Sequence, residues 1–361
     1  MHATAHTFAR KLTDWQRRHG RHDLPWQGTR DPYRIWVSEI MLQQTQVSAV
    51  IGYFQRFIDR FPDVAALARA SEDEVLRLWS GLGYYARARN LHKAAGEIAV
   101  ARRGRFPRTA AEIETLPGIG RSTAAAIAVF AFGERAAILD GNVKRVLARC
   151  FGVEGFPGAS KVQAELWELA GRLLPEGRKA GRIETYTQGL MDLGATLCTR
   201  SKPDCGKCPV FADCFARKAQ RIAELPAPRP RRTYPTRKST WLILRHGGEV
   251  LLERRPSAGL WGGLWVFPEF SGKNLAQHCQ TEFGCAICGH DELRAFSHGF
   301  THFRLEISPL LCDVGNRGAK AESPGRVWLS VEEAVGAAVP VPVRKVLRLL
   351  QGAGALDTAA R

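Results

Sequence analysis

The sequence predicts a multidomain chain, with an all-α domain at the N-terminal end followed by a smaller α/β domain. Three observations carry this. Apolar residues recur at spacings of three and four through Ile35-Trp36-Ile40-Val47, Val75-Leu76-Trp79-Leu82 and Leu166-Leu169-Leu173, the period of a helix. Beyond position 240 the period moves towards two, the period of a strand. Between the two regimes, Leu225–Thr240 holds four prolines and five Arg/Lys with no acid, the composition of a stiff, solvated linker. A chain of 361 residues can bury two separate cores. The expected limits are residues 1–225 for the helical domain, 226–239 for the linker and 240–355 for the second domain.

In the first domain, breaks at Gly20–Gly28, Phe61-Pro62, Gly81-Leu82-Gly83, Phe106-Pro107 and Pro157-Gly158 separate the helices. No longer repeat is visible, which favours a bundle over a solenoid. Leu116-Pro117-Gly118-Ile119-Gly120 is too short and too glycine-rich for a strand and reads as a hairpin between helices. Gly118 and Gly120 allow positive φ and close backbone approach there. Arg121–Phe132 is an alanine-rich helical run that Gly133 should stop. Its first turn offers free N–H groups beside a bare loop, an anion site suited to phosphate and formed by Gly118, Gly120, Arg121 and Ser122. Asp140 follows in an Asp-Gly-Asn turn opening the helix Val143–Cys150. Taken alone, this stretch is equally an ordinary helix–turn–helix connection with Asp140 as a plain N-cap.

Past the linker, Trp241–Leu244 and Val250–Glu253 flank His246-Gly247-Gly248 as a hairpin. Arg294–Phe296 and Phe303–Leu311 read as further strands, with helical stretches near Leu275–Phe283, Val331–Ala337 and Val343–Leu350.

The formal charge of +17 favours a polyanionic partner, either nucleic acid or an anionic membrane. The longest apolar run, Ala124–Phe132, is too short to span a bilayer, and His2, His6, Arg10 and Lys11 interrupt any signal-peptide core. The expectation is a soluble, monomeric, cytoplasmic protein directed at nucleic acid. Of nine cysteines, Cys198, Cys205, Cys208 and Cys214 are clustered, with gaps of six, two and five residues. The odd total and the cluster suit a metal site in a reducing compartment better than a disulfide framework. Structural zinc usually takes its ligands as two close pairs, and only one pair is present. The uneven run better suits a 4Fe-4S cubane, with zinc in the same site as the alternative. Lys202 and Lys207 lie inside these loops and suit them to phosphate. Cys285 and Cys288 form a lone C-x-x-C that reads as coincidence.

Glu39 has Ile35, Trp36, Leu42 and Gln43 at helical spacing, none of them basic. A carboxyl on such an apolar stripe is desolvated and its pKa rises, unless the helix turns it to solvent. A raised-pKa acid can protonate a leaving base.

The hairpin, Asp140 and the cysteines together resemble the helix-hairpin-helix glycosylase superfamily that includes endonuclease III. Within it the chain is most similar to the MutY-type adenine DNA glycosylases. The resemblance spans residues 8–350 through SEIMLQQTQV at 38–47, GLGYYARARNLHKAA at 81–95, LPGIGRST at 116–123, ILDGNVKRVLARC at 138–150 and MDLGATLCTRSKPDC at 191–205. It implies removal of adenine opposite 8-oxoguanine or guanine in double-stranded DNA, and a 4Fe-4S cluster on the four cysteines. Glu39 then protonates adenine at N7 and serves as base for water. Asp140 stabilises positive charge on the sugar, with Asn142 as polar support on the same turn. Ser122 stands where bifunctional relatives carry a Schiff-base lysine, so base removal with little strand nicking is expected, Lys144 being an amine that could still give weak nicking. The adenine must be flipped out of the duplex. The resemblance gives Gln44 and Tyr84 to the wedge that fills the gap, Thr45 and Leu82 to contact with 8-oxoguanine, and Trp26 and Gln188 to the adenine pocket, with Gln43 beside them. Gln27 stands where some relatives carry a basic residue.

The second domain, through GLWGGLW at 259–265 and Phe267-Pro268, resembles Nudix-type hydrolases that clear 8-oxo-dGTP. Those need a set of glutamates on one helix to hold Mg²⁺. Here the matching helix offers only Glu282, so recognition without hydrolysis is expected. Phe300, Thr301 and His302 match the loop that approaches 8-oxoguanine, Thr301 replacing a serine while keeping its hydroxyl. Competing readings are a bifunctional pyrimidine glycosylase/lyase, against which Ser122 speaks, a Nudix pyrophosphatase, and a non-catalytic lesion binder, which would need neither Glu39 nor Asp140.

Overall fold

Helices follow one another from Ala5 to Lys218 and strands begin only at Thr236 in the computed structural model of the chain, which describes residues 5–176, 182–230 and 233–357. By internal contacts the chain divides into two units, Met1–Arg69 with Lys93–Arg231, and Ala70–His92 with Arg232–Arg361.

The first unit opens with α1 (Ala5–His19), α2 (Pro32–Leu42), α3 (Val47–Arg60) and α4 (Val64–Arg69). The segment given to the second unit carries α5 (Glu72–Trp79) and the start of α6 (Ala86–Val100). Then come α7 (Ala110–Glu114), α8 (Arg121–Phe132), α9 (Gly141–Phe151), α10 (Ser160–Arg172) and α11 (Arg182–Asp192). A π turn over Leu193–Leu197 and short 3₁₀ turns lead to α12 (Phe215–Lys218).

Helix α8 is the centre of this unit. Its alanines and Ile127 and Val129 are almost wholly buried, and small side chains let α2, α7 and α11 approach it closely. Gly133 caps it at φ +69°, as the sequence predicts. The α7–α8 hairpin also forms, although only Gly118 uses positive φ, at +76°. Gly120 is the N-cap at φ −96°, and a Cβ placed there would meet nothing within 4 Å. Its bareness therefore leaves the helix start open to an incoming chain and is not demanded by the turn itself.

In the second unit, β1 (Thr236–His246) and β2 (Glu249–Arg254) form the expected hairpin through Gly247 and Gly248, both at positive φ as a two-residue turn requires. Strand β1 starts five residues before Trp241 because its parallel partner β7 (Arg304–Val314) already pairs Arg304 with Thr236. Strands β3 (Trp265–Val266), β4 (Glu269–Phe270), β5 (Ile287–Glu292), β6 (Phe296–Gly299) and β8 (Arg326–Ser330) complete the sheet, whose main path runs β3-β2-β1-β7-β5. Helices α13 (Leu275–Phe283) and α14 (Val331–Gly336) follow the sequence expectation, whereas α15 (Val341–Asp357) runs well past the expected end at Leu350. Leu242, Leu244, Leu251, Phe283 and Trp328 fill the core on one face. The segment 70–92 is bound to this unit through Ser80 Oγ donating to the Val339 carbonyl at 2.6 Å and Trp265 Nε1 donating to Asp73 at 2.9 Å.

Candidate active site

Helix α2 is set by Asp31, whose carboxylate accepts from the Tyr33 N–H, and by Pro32 in its first turn. It buries Ile35, Trp36, Val37, Ile40 and Met41 and so fixes Glu39 on its remaining face. That face borders a cavity of about 600 Å³ lined by Trp26, Ile35, Glu39, Leu42, Phe130, Gln188 and Met191 among others. Three residues predicted to act on the base, Trp26, Glu39 and Gln188, thus meet in one cavity although the sequence separates them widely.

Burial pushes the Glu39 carboxyl up to about 8, and the Asp140 charge adds to it. Asp140 does not line the cavity but is near enough to act on Glu39 through space. It is the N-cap of α9, its Oδ1 accepting from the Val143 N–H at 2.7 Å. Burial raises its carboxyl too, while the Val143 and Asn142 N–H groups and the Arg145 and Lys144 cations pull it back. Burial thus holds both carboxyls above their ordinary range, but only Asp140 has hydrogen-bond donors and cations that offset part of the rise.

The hairpin and this turn are tied together. The Leu139 N–H donates to Ser122 Oγ at 2.9 Å, and Gln43 Nε2 donates to Thr123 Oγ1 at 3.3 Å, so the start of α8 braces both the approach to Asp140 and the end of α2. Asn142 Oδ1 accepts from Arg145, which also donates to the Gly194 and Cys198 carbonyls. Lys144 donates to Gln163. Gly118, Gly120 and Arg121 stand exposed at the hairpin, and the guanidinium of Arg121 lies 4.0 Å over the Trp167 ring.

Past Leu42 the chain leaves the helix, and exposed Gln44 sits at φ +57° with Thr45 next to it. Tyr84 in the second unit sits at φ +50° and is 49% exposed. Left-handed backbone at two non-glycine residues is costly and persists where the surroundings impose it, often at functional positions. Leu82 by contrast is buried, its carbonyl accepting from Arg87. Phe300 to His302 form the turn between β6 and β7. Phe300 stacks on Phe303 at 4.6 Å and packs against Trp261 and His298, leaving Thr301 and His302 exposed at the tip.

Cys198, Cys205, Cys208 and Cys214 line one small cavity with Leu193, Leu197, Phe211 and Ile222, and all four thiols are free. Arg149 reaches in from α9 to within 3.5 Å of Cys198 Sγ, a cation beside a thiol that binds as thiolate. Among the described residues no three His, Cys, Asp or Glu side chains converge tightly enough to hold a single metal ion. Four thiols around one small space, which Cys150 and Asp204 also line, with a cation at its edge, fit a soft iron–sulfur group.

Sequence reasoning missed Arg21, which lines the cavity, and Asp192, with which it pairs at 2.7 Å. Gln27 is spent on bracing this loop, accepting from the Leu24 N–H and donating to the Arg21 carbonyl. The four residues MDLG at 191–194 were visible only as part of a motif and gave no sign of that partner.

Comparison with known proteins shows which families the two domains resemble. Residues 37–172 match the HhH-GPD superfamily of base excision DNA repair proteins, and residues 240–349 match the NUDIX domain. The chain is 36% identical to an adenine DNA glycosylase of Buchnera aphidicola subsp. Acyrthosiphon pisum (strain APS), over 95% of this chain and 97% of the relative. It is 34% identical to the adenine DNA glycosylase of Homo sapiens, over 96% of this chain and 74% of that one. Among solved structures, a thermostable thymine-DNA glycosylase aligns with a TM-score of 0.53 at 31% identity, covering 60% of this chain and 97% of its own.

Proposed function

The chain belongs to the adenine DNA glycosylases, enzymes of base excision repair that cleave N-glycosyl bonds, and from that premise we propose that it removes adenine opposite 8-oxoguanine or guanine in duplex DNA without cutting the strand. The observation that carries the reading is Glu39, a carboxyl that keeps its proton to about 8 on the wall of a cavity of about 600 Å³, with Asp140 near enough to influence it.

The chemistry follows from those two groups. Adenine leaves readily only as the neutral base, so protonated Glu39 gives its proton to N7 as the C1′–N9 bond breaks. Positive charge then develops on the sugar, and the Asp140 carboxylate stabilises it. The Glu39 carboxylate so formed takes a proton from the water that adds to C1′, which restores the acid and leaves an abasic site. Ser122 is no amine and makes no Schiff base; its hydroxyl accepts from Leu139 and steadies the turn carrying Asp140. Asn142 and Arg145 hold that turn from its other side.

The open N-terminus of α8, with Gly118, Gly120, Arg121 and Ser122, grips the phosphate backbone. Gln44 and Tyr84 fill the space left by the flipped nucleotide, Trp26 and Gln188 receive its base with Gln43 next to cavity-lining Leu42, and Thr45, Phe300, Thr301 and His302 attend to the 8-oxoguanine, while buried Leu82 steadies the turn that carries Tyr84. Cys198, Cys205, Cys208 and Cys214 would hold a 4Fe-4S cluster, whose contribution when bound is to fix the basic loop around Lys202 and Lys207.

Single-turnover incubation with duplexes carrying A·8-oxoG, A·G or A·C tests this. Strand breaks that appear only after alkali, with A·8-oxoG fastest, support the reading. An intact strand after alkali ends it, and breaks without alkali favour a lyase.

A further inference from the structure

We propose that Asp192 is a positioning residue that fixes the amide of Gln188 with its carbonyl oxygen towards the base, making the cavity select an exocyclic amino group. The inference rests on the glycosylase reading above and deepens it. Asp192 closes α11 and is wholly buried. Its Oδ2 accepts from the Arg21 backbone N–H at 2.9 Å, and its Oδ1 accepts from Arg21 Nε at 2.7 Å. The same Oδ1 accepts from Gln188 Nε2 at 2.9 Å, one helical turn back on α11.

A side-chain amide can normally turn its oxygen and nitrogen end for end at little cost. Here it cannot. A carboxylate offers only acceptors, so a reversed Gln188 would set oxygen against oxygen in a buried place. Arg21 holds both carboxylate oxygens, its backbone N–H on Oδ2 and its side chain on the Oδ1 that Gln188 also uses, so Asp192 is anchored in place. Gln188 borders the cavity, and one N–H of its amide is committed to Asp192. That bond fixes which end of the amide is nitrogen, so its oxygen, an acceptor, is held on the side away from Asp192.

An acceptor at this wall pairs with the N6 amino group of adenine and opposes the O6 oxygen of hypoxanthine or guanine. The polarity of one amide, set from behind by Asp192, thus becomes base selectivity. Discrimination of this kind is steep because the wrong base leaves a buried polar group unpaired.

The test is the single-turnover rate of the full chain on duplexes carrying adenine or hypoxanthine opposite 8-oxoguanine. Comparing the adenine-to-hypoxanthine ratio between variant and wild type removes the intrinsic lability of the two bases. Asn at 192 offers both donor and acceptor and frees the amide, so D192N should lower the ratio by about tenfold or more. D192E keeps the carboxylate and should restore most of it. A D192N enzyme that slows on both bases by one common factor would show a merely structural role and overturn the proposal. Should D192N fail to fold, Q188M decides: loss of the ratio supports the proposal and an unchanged ratio overturns it. Wild-type enzyme that leaves adenine in place would instead sink the glycosylase reading, a result distinct from an unchanged ratio in an active variant.

Discussion

Asp140 acts on Glu39 through space, its carboxylate adding to burial in holding the Glu39 proton to about 8. Asp140 itself is N-cap to α9 and takes the Val143 N–H at 2.7 Å. One carboxyl is therefore starved of hydrogen-bond donors and the other supplied with them, the division of labour that acid-assisted departure of a base requires.

Glu39 titration sets the pH dependence. Excision should be steady at low to neutral pH and fall with a one-proton slope as pH rises through about 8. E39Q should lose activity, and its effect on stability has a definite sign. A free glutamate titrates near 4.5, so between that value and about 8 the folded chain holds a proton that the unfolded chain has released. Wild-type stability therefore falls across this window, and E39Q should gain on it by up to about 5 kcal/mol over the same range. Thermal unfolding of both proteins across the window checks this.

D140N separates chemistry from structure. Asparagine caps a helix about as well as aspartate and removes a carboxyl that burial holds above its ordinary range, so stability at neutral pH should not fall and DNA affinity should hold. Single-turnover excision should fall by about 10²–10³-fold, because the charge opposing the sugar cation is gone. Gel-shift and rate measurements on one preparation give both numbers.

Arg149 ties the cysteine loop to α9. It is buried and donates to the carbonyls of Leu225, Thr199 and Arg200 at 2.8, 2.7 and 3.0 Å. R149M leaves those acceptors unmet and should cost about 2–4 kcal/mol. We also expect it to lower the iron content and the visible absorbance of purified protein, measured by iron assay and spectrum.

The tip of the β6–β7 turn is the better handle on lesion preference than deletion of the second domain. Cutting the chain after residue 225 would strip Ser80 and Asp73 of Val339 and Trp265, their partners within the same unit. T301A with H302A leaves that packing alone, since both side chains are exposed. The double variant should reduce the preference for A·8-oxoG over A·G by about tenfold, with the A·G rate little changed.

What could be read from the sequence is what local chemistry dictates. Gly133 stops α8, Asp140 caps α9 and Gly247-Gly248 turns the β1–β2 hairpin because each needs only its immediate neighbours. Strand β5 escaped notice because five of its six residues are exposed, so no alternation marks it, and its pairing with β7 alone makes it a strand. The contacts of 70–92 with the second unit and the Arg21–Asp192 pair join residues far apart in the chain, and no periodicity encodes such a meeting. The same holds within the site. The cluster spacing was legible, whereas the meeting of Trp26, Glu39 and Gln188 in one cavity depends on how α2 and α11 are packed.

Titration of the Glu39 carboxyl carbon by ¹³C NMR, in wild-type protein and in D140N, tests the coupling of the two acids most directly. We predict a midpoint near 8 in the wild type and a lower one in D140N, where burial acts without the neighbouring charge. A wild-type midpoint close to that of a free glutamate, or one that stays put when Asp140 loses its charge, would contradict the assignment of Glu39 and Asp140 to a single catalytic pair.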